Sequence, residues 1–194
     1  LVGIPAGIIA AMHHGSWRDR SATLVAIIGV SVPAIVLGPV LQWLFALQLG
    51  WFPVAQWASL SEGLIPYLSH IILPAVTLGA GLSAIIARLT RASMLSVLGE
   101  DYIRTAHAKG LARRVVTVRH ALRNALIPVV TYIGIDVGTL IGSAILTETV
   151  FNWPGLGSKI ASAAGTRDLP VMLALSMVVI LIYGIMSLVV DLLY

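Results

Sequence analysis

The sequence predicts an all-α fold, a polytopic bundle of transmembrane helices. Three observations carry that expectation: the composition, the length of the apolar runs, and the way the cations alternate between loops. Of 194 residues, 58% are hydrophobic and 10% are charged, with a mean hydropathy of +0.97, whereas a soluble domain carries about 25% charged residues. A water-soluble globule of this composition would lack polar surface to cover its core. There is no cysteine, so neither a disulfide framework nor a thiolate metal site is available, and the redox compartment is left open. A net charge of +4 would suit nucleic acid only on the basic face of a soluble fold. Here the charges fall in short loops between apolar runs, so no nucleic-acid partner is expected and the lipid bilayer is.

The apolar runs follow in order. Residues 1–12 (LVGIPAGIIAAM) would cover only about 18 Å as a helix, against a bilayer core of roughly 30 Å. The chain enters this run at once, with no methionine and no basic segment of a signal peptide. It reads as a fragment with a truncated first span and a further span upstream. Four more runs, 22–50, 71–87, 125–147 and 169–194, approach or exceed the roughly 17–25 residues of a spanning helix. Pro33, Pro39, Pro74 and Pro128 are each placed to kink or interrupt a helix. Gly134, Gly138 and Gly142 recur every four residues in the fourth run, a spacing that lets another helix approach closely, as plain packing or as a sliding surface.

The loops orient the spans. Arg18 and Arg20 lie in the first loop, no Lys or Arg lies between Trp51 and His70, and only Lys159 and Arg167 lie between Glu148 and Asp168. The other eight cations lie between Arg88 and Arg123, so the first and third loops hold ten of the twelve. The positive-inside rule makes those two loops and the C-terminus cytoplasmic, and starts Leu1 outside.

Within the third loop, the segment 93–124 is polar yet patterned for helix. Glu100 and Asp101 stand where a helix N-terminus favours acids, His107 and Lys109 fall in the last turn, and Gly110 suits the left-handed position beyond the end. Tyr102, Ile103 and Ala106 share one face. A helix of about ten residues is marginal alone, so this one is expected to dock on something. A second basic amphipathic helix is expected over Ala112 to Ala125. Arg119 and Arg123 lie one turn apart, suited to the headgroup boundary, with Val115, Val118 and Leu122 on another face.

Asp101-Tyr-Ile-Arg-Thr-Ala-His-Ala-Lys-Gly-Leu111, followed by Arg119-His-Ala-Leu-Arg-Asn-Ala-Leu-Ile-Pro128, resembles the cytoplasmic EAA loop of ATP-binding-cassette importer permeases, in the oligopeptide, dipeptide and nickel branch. Glu148-Thr-Val-Phe-Asn-Trp-Pro-Gly-Leu-Gly157 resembles that branch's external turn, and Asp168-Leu-Pro170 opens its last span. The resemblance covers essentially the whole chain. It departs from the general EAA pattern in placing Arg104 at the Glu position and Thr105 at the first alanine, while keeping Ala106 and Gly110. The family's usual Glu-to-ATPase salt bridge is therefore not carried over to residue 104, and Glu100 and Asp101 are the acids left to replace it. Arg123 likewise stands at the pattern's proline, leaving Pro128 as the nearest helix interrupter.

The resemblance implies a domain of the type I importer permease kind over residues 1–194, with a coupling helix at about Gly99 to Lys109. Its ATPase-coupling residues would be Glu100, Asp101, Arg104, Ala106, Lys109, Gly110 and Leu111. The implied partners are a second permease subunit, two cytoplasmic ATPase subunits and an external solute-binding protein. The implied cargo is short peptides, with nickel and other small solutes open. No catalytic residue, cofactor or metal is expected.

The remaining polar residues are weighed against that frame. Gly155-Leu-Gly-Ser-Lys159 lacks the spacing of a phosphate loop. His13, His14, His70, His107 and His120 show no shared ligand spacing. Asp136 interrupts the fourth span, where a carboxylate is costly, and either lines the translocation path or makes a structural hydrogen bond to a neighbouring helix. Asp191 falls near the cytoplasmic end of the last span, and Glu148 is placed to brace the Trp153-Pro154-Gly155 turn. A secondary transporter would show several intramembrane ionisable residues or paired broken helices. A membrane-embedded enzyme would show a His, Asp or Glu constellation near the spans.

Overall fold

The computed structural model describes residues 2–112 and 115–193; the side chains of His107, Val137, Gly138, Val190, Asp191 and Leu193 lie outside the described residues. The expectations placed on His107, Gly138 and Asp191 therefore have no side-chain counterpart here. Among the described residues all regular structure is helical. In chain order the helices are α1 (Gly3–Met12), α2 (Trp17–Ser31), α3 (Ala34–Leu41), α4 (Leu64–Leu98), α5 (Asp101–Ala108), α6 (Arg123–Ala125), α7 (Ile127–Val150), α8 (Leu156–Thr166) and α9 (Leu169–Leu193). Widened π-type segments extend α3 over Gln42–Gln48 and precede α6 over Val116–Leu122.

Among the described residues, two helices, α4 and the stretch Leu169–Val189 of α9, are long and apolar enough to cross a membrane, and up to four such spans result if each broken pair counts as one. The second apolar run is broken. Pro33, with φ −59° and ψ 143°, holds an extended backbone between α2 and α3 and supplies no N–H to continue the helix. Pro74, by contrast, is absorbed inside α4. That helix runs 35 residues, about 52 Å, well past the expected end at Ala87, because no Gly or Pro interrupts it between Leu82 and Leu98. The start of the third loop is thus helical rather than a connection.

The chain divides into two compact units, Leu1–Ser31 with Leu82–Gly134, and Val32–Gly81 with Ile135–Tyr194. In the first, α1 lies hard against α4. A side chain at Gly3 would strike the Ser83 carbonyl and Ile86, and one at Gly7 would strike the Ala87 carbonyl and Thr90. Ala10 and Ala11 continue this buried edge. Small residues four apart let the two backbones approach. A Cβ at Gly142, by contrast, would meet open space within this chain.

The second unit has its own core of Ala46, Leu73 and Phe151, with Leu41, Phe45, Phe52 and Val150 packed on it. The Gln42 amide donates to the carbonyls of Val54 (2.7 Å) and Val150 (3.2 Å), and the Gln56 N–H donates to Phe151 O (3.1 Å). These bonds join the second loop to the fourth. Glu148 braces the Trp153-Pro154-Gly155 turn as expected. Its carboxylate accepts from the Ser158 N–H (2.8 Å) at the start of α8, and its carbonyl accepts from Trp153 N–H (2.8 Å). An anion is favoured at that helix N-terminus, and Glu148 already supplies it, so the phosphate-loop look of 155–159 has a structural explanation. Asp168 opens α9, its carboxylate accepting from the Val171 N–H (3.3 Å), with Pro170 in the first turn where no N–H is needed.

Candidate functional site

The site begins with the amphipathic character of α5. Ile103 and Ala106 are buried in one cluster with Ala11 of α1, Met94 of α4, and Val116, Ala121 and Ala125. Burying Ile103 is worth about 1.5–3 kcal/mol, enough to hold a two-turn helix that would not persist alone. Asn124 Nδ2 donates to Tyr102 Oη (2.9 Å), tying the helix to the segment that leads into α7.

Local chemistry sets the two ends. The Glu100 carbonyl accepts from the N–H groups of Ile103 and Arg104, so Glu100 stands immediately before the helix. Gly110 is left-handed with φ 77°, and the Leu111 N–H reaches back to the Ala106 carbonyl (3.4 Å). That is the 6→1 bond of a Schellman ending.

The opposite face is open. Glu100, Asp101, Arg104, Lys109, Gly110 and Leu111 are all exposed, as are Thr105 and Ala108. Arg104 stands 3.6 Å from Asp101 Oδ1, with side-chain exposures of 76% and 97%; a pair this solvated contributes little to stability. Its position instead presents alternating charge to the outside. Of the seven expected coupling residues, six lie on this exposed surface, while Ala106 faces the chain's own core. Asp136 lies in the other unit, half-buried, where its carboxylate and carbonyl both accept from the Thr139 hydroxyl. Both of these hydrogen bonds lie within its own helix.

The face expected after Gly110 requires a correction. Of the expected face, Leu122 packs on the buried cluster while Val115 and Val118 are exposed, and Val116, Ala121 and Ala125 are buried. The reason is winding: a π-type segment closes i→i+5, so residues spaced five and then four share a face, where an α-helical reading selects three and four.

One cluster has no counterpart in the sequence reading. Asp19, 4% exposed, receives Arg91 in bidentate fashion, Nε on Oδ1 (2.5 Å) and a terminal nitrogen on Oδ2 (2.8 Å). It also accepts from the Gly15 N–H (3.0 Å), with His14 Nδ1 at 3.3 Å. The Arg91 hydrogen bonds and the Gly15 N–H hold its carboxyl well below the usual carboxylate range, and the carboxylate in turn raises the Arg91 guanidinium. Both groups flank the apolar runs rather than lying within them. The available sequence signal was Ser16-x-x-Asp19, a helix-start pattern; nothing local marks Arg91.

Residues 3–194 match the family described as binding-protein-dependent transport system inner membrane component. The chain belongs to that family. An all-α domain of the type I permease kind, multi-pass in a membrane, is the fold that goes with this membership. Among curated relatives, the chain is 44% identical over 193 residues to a probable peptide ABC transporter permease protein of Sinorhizobium fredii, covering all of this chain and 62% of the relative. It is 42% identical over 214 residues to a dipeptide transport system permease protein of Alkalihalophilus pseudofirmus, covering all of this chain and 64% of that protein. It is 45% identical over 194 residues to a glutathione transport system permease protein of Escherichia coli, covering all of this chain and 61% of that protein. The chain thus spans less than two thirds of the length of these relatives.

Proposed function

We propose that this chain is part of the membrane-spanning permease subunit of an ATP-binding-cassette importer, one that forms the translocation pathway and borrows its ATPase. The observation that carries the reading is α5: a short helix anchored on one side by Ile103 and Ala106, charged and open on the other. A rigid contact of this kind can pass a two-state change from a partner into the helices behind it. Asp101, Arg104 and Lys109 meet the ATPase, Gly110 and Leu111 end the docking helix, and Ala106 holds it in place. Two cytoplasmic ATPase subunits, a second permease subunit and an external solute-binding protein complete the assembly in an inner membrane.

The orientation is supported twice. Ten of the twelve cations fall in the first and third loops, which supports a cytoplasmic position for loop 93–124 by the positive-inside rule, and the Asp19–Arg91 pair supports the two loops' sharing one side. Peptides and related small solutes are the cargo class, after the activities of the relatives, and Asp136, within the fourth apolar run, lines their path.

The test is purification of the full-length parent chain with its partner subunits into proteoliposomes, followed by uptake of labelled di- and tripeptides with and without internal ATP. Uptake that needs ATP and the ATPase is expected. Uptake by the permease alone on an ion gradient would establish a secondary carrier instead.

A further inference from the structure

Arg91 lies one helical turn before Met94, and Met94 sits in the cluster that seats Ile103 and Ala106 of α5. Ala11 of α1 sits in the same cluster, three residues before His14. The α1–α2 turn then closes back on α4 through Asp19. The contact is a charge-assisted bidentate pair, supplemented by the Gly15 N–H and flanked by His14. Elsewhere α2 offers few anchors in this unit, Ala26 being its other buried residue. Removing Arg91 would leave the buried Asp19 carboxylate uncompensated, so the contact holds the two segments together through a charge that has no other full partner among the described residues.

We propose that Asp19 and Arg91 are positioning residues for energy coupling: the pair locks the α1–α2 turn to α4, so that displacement of α5 by its partner carries α2 with it. The proposal rests on the importer reading above and deepens it, because it names the second cytoplasmic loop that must travel with the coupling helix. Neither residue touches cargo or ATPase; both act through the helices they join.

The experiment uses the full-length permease assembled with its partner subunit, ATPases and binding protein, in proteoliposomes, with labelled di- and tripeptides as probes. Three variants are compared: Asp19→Asn, Arg91→Lys, and the double Asp19→Cys/Arg91→Cys, made in a background from which any other cysteine has been replaced and bridged by a short bis-methanethiosulfonate crosslinker that a thiol reductant cleaves. The readout is peptide taken up per ATP hydrolysed by the assembled fraction, which a purely structural bond would leave unchanged. The expected result is a fall of about tenfold in the first two variants. The double variant should fall similarly unbridged, regain most of the ratio when bridged, and lose it again on cleavage. A wild-type ratio in the variants, whether or not less complex assembles, overturns the proposal, as does failure of all three to assemble, since the pair would then be a folding bond. A wild-type complex that hydrolyses ATP without importing any of these peptides overturns the importer reading itself, and the pair's role with it.

Discussion

Single residues at the two ends of the chain make opposite use of the same chemistry. Glu148 and Asp19 are both carboxylates at helix N-termini, but Glu148 is shared with the α8 backbone and Asp19 with a distant arginine. Replacing Glu148 by Ala removes the partner of the Ser158 N–H and should cost about 1–2 kcal/mol, read as a lower melting temperature in detergent, while Glu148→Gln should retain part of it. Asp19 behaves differently with pH. Its folded-state carboxyl lies below the ordinary 3.8, so the stability it adds is fully present above that value and is lost only as pH falls through the lower folded one. The melting-temperature gap between wild type and Asp19→Asn should therefore stay flat from about pH 8 to about pH 5. A gap that closes in that interval would show that the carboxylate is not held as described.

At the scale of elements, α5 is the piece whose sequence and structure agree most closely, for a reason of locality. Its acids at Glu100 and Asp101 and its glycine at Gly110 act within one turn of themselves, and the structure places them as that chemistry requires. The buried face after Gly110 was not legible, because π winding is a response to packing against Met94 and Ile103 rather than a property of Val115 or Val118. The Asp19–Arg91 pair was also out of reach, its members standing 72 residues apart with no periodic signal between them. Ile103→Ala should cost about 2–5 kcal/mol of local stability and release α5 from its seat. Hydrogen exchange should then be faster over 101–108 while α9 is unaffected; unchanged protection would mean that Ile103 is not the anchor.

For the whole molecule, the decisive sequence property is how little of it is polar. That property made an all-helical membrane protein legible from composition and run length, with helices close to the expected positions for runs 1–12, 125–147 and 169–194. It could not show where the runs break. Pro33 and Pro74 look alike in sequence, yet one separates two helices and the other lies inside a 35-residue helix. The crossing of α1 on α4 is equally a tertiary fact, set by Gly3 and Gly7. Gly7→Leu would force the two backbones apart, an overpacking that should cost about 1–3 kcal/mol or more. It should lower the yield of folded permease in detergent, whereas Gly142→Leu, facing open space, should have little effect on the isolated permease.

The central claim is that the exposed face of α5 is where an ATPase takes hold, and thiol labelling permits a direct reading of it. With Thr105→Cys and Ile103→Cys placed separately in a permease from which any other cysteine has been replaced, labelling is followed before and after addition of the ATPase subunits. The account expects the Thr105→Cys variant to label in the isolated permease and to be protected in the complex, with the Ile103→Cys variant protected in both. Equal labelling of the Thr105→Cys variant with and without a bound ATPase would contradict it.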